Sequence, residues 1–267
     1  MKTKEDRFRI VCLVCLWIGL VLTPLTGQCF YNPNSGRWLS RDPAGEGGGA
    51  NVNAFVSNDA VNKNDPFGLW ATSVHHQIVE DWLTDPKYRN YPWRCCSIDV
   101  VRAIQGGSDD VDGVFHNGLP SPIAWCEAQS SVNSYQHAMS DGAANQSASG
   151  AQALYNRFLA HNLVQAVGWA SYAKENGRCY LLEWSLNSLG RAYHSFSDSL
   201  SPAHSGFQPW WGPYDGWIGW GGWPSYWAFV QAHEAKETPA VYASQKAAVV
   251  AAVDKKFKAF LDYILKN

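Results

Sequence analysis

The chain has no excess of charge of either sign. Its 267 residues carry 21 Lys and Arg against 23 Asp and Glu, giving a net charge of -2 and a pI near 6.4. Duplex nucleic acid is held chiefly by basic groups that neutralise phosphates, so the missing basic footprint argues against a duplex-binding protein. Long apolar runs are lacking too. The run at residues 10–22 has 13 residues, short of the roughly 20 that cross a bilayer. Internal repeats are absent, and beyond residue 70 so are the alternating β-branched runs that build strands. Cysteine is sparse: after Cys29 there are only Cys95, Cys96, Cys126 and Cys179. They can form two bridges, but the sequence leaves the pairing open.

Apolar residues make up 46% of the chain, an ordinary share for a globular protein, whereas its 14 tryptophans are unusual. The N-terminus, MKTKEDRFRIVCLVCLWIGLVLTPLTGQC, places Lys2, Lys4, Arg7 and Arg9 before the apolar run, diluted by Glu5 and Asp6. Small residues follow. This is the pattern of an export signal over residues 1–28, with an uncleaved membrane anchor as the alternative. Gln28 is bulky for a lipoprotein signal before Cys29. Export implies a secreted or envelope-associated protein in which disulfides can form.

Residues 29–69 are rich in Gly, Asn, Asp and Pro between short aromatic and apolar pieces, a texture of turns and short strands. The elements YNPNSGRWLSRDP, then NAFV followed by ND, then DPFGL resemble the C-terminal end of the Rhs/YD-repeat core. In that family a β shell encloses a variable C-terminal toxin and the chain cleaves itself after the Leu of DPxGL. The resemblance places Arg41 and Asp42 at the cleavage chemistry and the cut between Leu69 and Trp70.

Residues 70–267 change character. Apolar residues recur at three and four over 74–84, 150–174, 179–199 and 241–266, which predicts an all-α domain. Between 207 and 229 runs a Gly/Pro/Trp loop, FQPWWGPYDGWIGWGGWPSYWAF, leading into a short helix over 226–237. The loop reads as cover for the helices. Alternatives are a lipid-contacting rim or a stacking platform for nucleobases.

The stretch HSFSDSLSPAH at 194–204 concentrates potential ligands. His194 and Asp198 lie four apart on one helical face, Pro202 ends the helix, and His204 follows on the turn. His233 and Glu237 form a second such pair. Imidazole nitrogen and carboxylate oxygen on rigid elements are what zinc takes. His76 and His161 are expected to be non-ligands.

HxxxD, a His six residues after the Asp, and a later HxxxE or HxxxD together resemble the zinc-dependent phospholipase C and single-strand nuclease superfamily, which is all-α and binds three zinc ions. There an N-terminal tryptophan gives its amino group and carbonyl to one zinc, with a nearby His. Cleavage after DPFGL would make Trp70 that residue. His75, in HHQIV, lies five residues on, as in the nucleases. The resemblance implies a further His some fifty to sixty residues before His194, which selects His137 over its competitor His116. It also implies an Asp from an upstream loop, among Asp109, Asp110 and Asp112; Asp112 is chosen, four residues after Gly-Ser.

So read, Trp70, His75 and Asp198 hold one zinc. Asp112, His137, His194 and a bridging Asp198 hold the second, and His204, His233 and Glu237 the third. Asp112 orients or deprotonates the attacking water. The expected activity is phospholipase C on membrane phospholipid, because Glu237 matches the phospholipases. A nuclease on single-stranded nucleic acid is the alternative. A non-enzymatic remnant of an Rhs tail is a third reading, motivated by the near-complete lack of the shell. The Rhs context implies a polymorphic toxin with an immunity protein as partner. Oligomeric state is left open.

Overall fold

A computed structural model of the chain describes residues 31–32, 37–38, 71–94, 96–113, 127–212, 232–233 and 235–266. The export signal, the bond between Leu69 and Trp70, and His116 lie outside the described residues, as do Cys95, Cys126 and most of the Trp-rich loop. Within 29–69, β1 (Tyr31–Asn32) pairs antiparallel with β2 (Arg37–Trp38). Helix makes up 72% of the described structure and strand 6%, so the domain is all-α as the periodicities predict.

Among the described residues five α-helices carry it: α1 (Ala71–Trp82), α2 (Val100–Asp112), α3 (Ala148–Asn176), α4 (Cys179–Asp198) and α5 (Pro239–Leu265). Their ends follow from local chemistry. The Asp99 carboxylate accepts from Arg102 N to start α2, and Gly113, at φ 71°, closes it. Ser147 caps α3, and Gly177, at φ 65°, ends it. Thr238 caps α5 with Pro239 at its first turn, where a missing N–H costs nothing.

Only two residues separate α3 from α4, so α4 folds back along α3. Ser185 Oγ donates to the Ala166 carbonyl and Tyr155 Oη donates to Ser199 Oγ, contacts that fix the antiparallel register. Helix α4 is central, burying Leu182, Leu186, Leu189 and Tyr193 against α2, α3 and α5. Along α5, Val253, Phe257, Leu261 and Ile264 are buried. Each such side chain contributes about 1.5–3 kcal/mol of transfer free energy.

Two glycines set the α2–α4 crossing. A methyl on Gly107 would fall onto the Asn187 carbonyl, and one on Gly190 onto the Ile104 carbonyl. The backbones therefore touch, which brings the end of α2 against the last turn of α4. Helix α2 is a correction, since the upstream Asp was expected on a loop; Gly106, Gly107 and the Asp-rich end blur its periodicity, while Val100, Val101, Ile104 and Val111 bury its inner face.

Smaller pieces complete the frame. The hairpin of β3 (Tyr91–Trp93) and β4 (Cys96–Ile98) is joined to the start of α4 by a Cys96–Cys179 disulfide, one of the pairings left open above. A 3-10 turn, Ser131–His137, precedes β5 (Ser140–Asp141), which pairs parallel with β6 (Pro209–Trp210). Helices α1 and α5 meet through Asp81, which accepts from Tyr242 Oη at 2.8 Å and pairs with Lys246 at 2.6 Å. Among the described residues no helix is long and apolar enough to cross a membrane.

Candidate metal centre

Seven segments deliver their polar side chains to three groups. His75 comes from the second turn of α1, and Asp112 is the last residue of α2. His137 ends the 3-10 turn, His194 and Asp198 occupy the last turns of α4, and His204 follows in the turn after it. His233 is helical. Glu237 lies in the bend before α5 rather than within the short helix expected over 226–237.

Three groups of ligand atoms result: His75, His194 and Asp198; Asp112, His137 and His194; His204, His233 and Glu237. Asp198 connects the first two. Its Oδ1 lies 3.0 Å from His75 Nε2, and its Oδ2 lies 3.1 Å from His194 Nε2 and 3.2 Å from His137 Nδ1. One carboxylate thus presents an oxygen to each side. Asp112 Oδ1 closes the second group at 3.6 Å from His194 Nε2 and 3.9 Å from His137 Nδ1, while the two ring nitrogens are 3.1 Å apart. A tetrahedral ion with bonds of about 2.0–2.1 Å separates its ligands by about 3.3–3.4 Å. The observed separations straddle that value.

Hydrogen bonds outside the cluster fix the ring orientations. Ser197 Oγ donates to the His194 carbonyl at 2.8 Å, so it accepts from His75 Nδ1 at 2.9 Å. The Nε2 lone pair of His75 then faces Asp198 Oδ1. Two lone pairs so close repel unless a cation lies between them, and the candidates are a proton and a metal ion. His194 Nδ1 bonds Ser108 Oγ at 3.0 Å, which leaves Nε2 directed inward. His204 Nδ1 donates to the His137 carbonyl, linking the second group to the third. Orienting partners of this kind accompany metal-bound histidines.

The third group gathers around Glu237. His204 Nε2 lies 2.8 Å from Glu237 Oε1, and His233 Nε2 lies 3.5 Å from Oε2. His204 Nε2 is buried beside that carboxylate. Asp112 Oδ2 is buried without a partner.

The electrostatics agree. Burial disfavours the charged form of His75, but the Asp198 carboxylate outweighs it and lifts the pKa to about 9. Burial opposes ionisation of His204 too; Glu237 and Asp198 override it, again to about 9. For Asp198 and Glu237, burial would raise the pKa, yet the surrounding histidines hold both carboxyls well below the ordinary range. The donor set, all nitrogen and oxygen, is one that could hold a divalent metal ion.

No family model, curated protein or solved structure matches this chain. The metal assignment rests on donor geometry.

That geometry separates the three candidate aspartates. Asp109 pairs with His76 Nε2 at 2.6 Å and Asp110 with Arg191 at 2.7 Å, so only Asp112 turns to the cluster. His161 stands exposed on α3, away from the ligands. Trp70 and Leu69 lie outside the described residues. Sequence reasoning passed over Ser108 and Ser197, which orient His194 and His75. Helical spacing offers the one available signal, since Ser108 precedes Asp112 by four residues on α2 and Ser197 directly precedes Asp198.

Proposed function

We propose that the chain is a zinc-dependent phosphodiester hydrolase acting as a phospholipase C, exported as the toxin end of an Rhs-type protein. The observation that carries the reading is Asp198, with one oxygen toward His75 and the other toward His137 and His194. Imidazole and carboxylate donors at these separations suit zinc. Zinc bound by these residues would supply Lewis acidity that brings the pKa of water toward neutral and offsets phosphate charge.

The chain's own residues do the rest. Asp198 holds the two groups in register, with His75 and His194 locked by Ser197 and Ser108. Asp112 offers its unpartnered Oδ2 as the acceptor for a proton leaving the attacking water. His204, His233 and Glu237 would hold a third ion, whose charge would offset that of the leaving oxygen. By the resemblance, Trp70, directly before α1 in the chain, completes the His75 group once residues 1–69 are removed, and an immunity protein is the partner that contains the toxin.

Elemental analysis of purified protein that starts at Trp70, together with two substrates, tests this. About three zinc ions per chain and phosphocholine release from phosphatidylcholine vesicles, with single-stranded DNA intact, are expected. Zinc with DNA cleavage alone transfers the reading to a nuclease. Zinc-loaded protein that cleaves neither leaves the remnant of an Rhs tail.

A further inference from the structure

A cleft of about 50 Å³ opens beside the cluster, bounded by α1, the end of α4 and the start of α5. His75, Asp198 and Glu237 form one side of it, so it faces the first and third ligand groups together. Aliphatic side chains line it as well: Val74, Ile78, Leu200 and Val241. Lys236, exposed and next to Glu237, stands at the rim.

This juxtaposition is specific. A phosphate drawn to cations held by His75, Asp198 and Glu237 would have apolar side chains within reach of one arm, and Lys236 lines the same cleft. An aliphatic arm gains from leaving water on that wall. A nucleobase would need an open aromatic face on which to stack. Of the described lining residues the aromatic rings are those of His75, which packs against His194, and Tyr242, which is buried with its hydroxyl bound to Asp81.

We infer that this cleft is the subsite for an aliphatic arm of the substrate, with Lys236 as the anchor for its phosphate. The inference rests on the hydrolase reading for the identity of the substrate, but the subsite itself is testable by binding alone.

The test is calorimetric titration of the zinc-loaded full-length chain with inorganic phosphate, hexyl phosphate and thymidine monophosphate. Hexyl phosphate is expected to bind about tenfold tighter than inorganic phosphate through methylene burial. Val241→Asn and Leu200→Asn should each erase that advantage while leaving phosphate affinity and zinc content unchanged. Lys236→Ala should weaken both ligands alike, several-fold. Equal binding of hexyl and inorganic phosphate overturns the subsite, as does an advantage that survives both wall variants or thymidine monophosphate binding as tightly as hexyl phosphate. The two proposals separate cleanly. If no phosphodiester is turned over while the hexyl advantage holds, the hydrolase reading falls and the subsite stands. Turnover of dihexanoyl phosphatidylcholine without a hexyl advantage removes the subsite and leaves the hydrolase in place.

Discussion

At the scale of single residues, Asp198 is the one whose loss should reach furthest. It faces two ligand groups at once and is 2% exposed. Asp198→Ala is expected to lower bound metal from about three ions to about one, leaving the His204 group filled. Glu237→Ala should remove only about one ion. A metal count that falls equally in both variants would contradict the division into groups. Asp81 offers a test of pH dependence. Burial raises its pKa, but bonds from Lys246 and Tyr242 outweigh it, and the carboxyl lies below its ordinary value. A depressed carboxyl stabilises the fold above its unfolded pKa and loses that contribution as pH falls through the folded one. Asp81→Asn should therefore melt lower than the parent at pH 7, with the gap closing below about pH 4; a gap constant across that range would assign the loss to packing. The spacing of His194, Asp198 and His204 was legible because helical geometry converts a four-residue interval into a shared face. Asp112 could be chosen only by resemblance, because nothing in GSDDVDG says which of its carboxylates points inward. The α2–α4 crossing decides that, and crossings are not written in local sequence.

At the scale of elements, the α2–α4 joint depends on having no side chain at two positions. Gly190→Ala places a methyl on the Ile104 carbonyl and should cost about 3 kcal/mol. Gly168 is the control. It lies inside α3, and an added methyl there meets nothing within 4 Å. Gly168→Ala should stabilise by about 0.5–1 kcal/mol through helix propensity alone. Thermal melts of both variants check the pair, and a stabilised Gly190→Ala would mean the helices do not touch as described. The four periodic segments were readable because their apolar positions outnumber their breakers. Helix α2 was not, because the glycines that allow the crossing are the same residues that make the segment look like a loop.

At the scale of the whole molecule, the Cys96–Cys179 bond closes a span of 83 residues and ties the β3–β4 hairpin to the root of α4. Cys96→Ser is expected to cost about 2–5 kcal/mol, measured by denaturant unfolding against the oxidised parent. A midpoint unmoved by the substitution would show that helix packing alone holds the hairpin in place.

The disulfide and the ligand set share a consequence. Thiolate-bound zinc is lost when oxidants attack sulfur, because the attacked atom is the ligand itself. Here the ligands among the described residues are imidazoles and carboxylates, and the two described cysteines are already joined to each other. Among the described residues peroxide has no sulfur to strike at the centre, so a metal held by these groups would persist in surroundings that disarm a cysteine-built site.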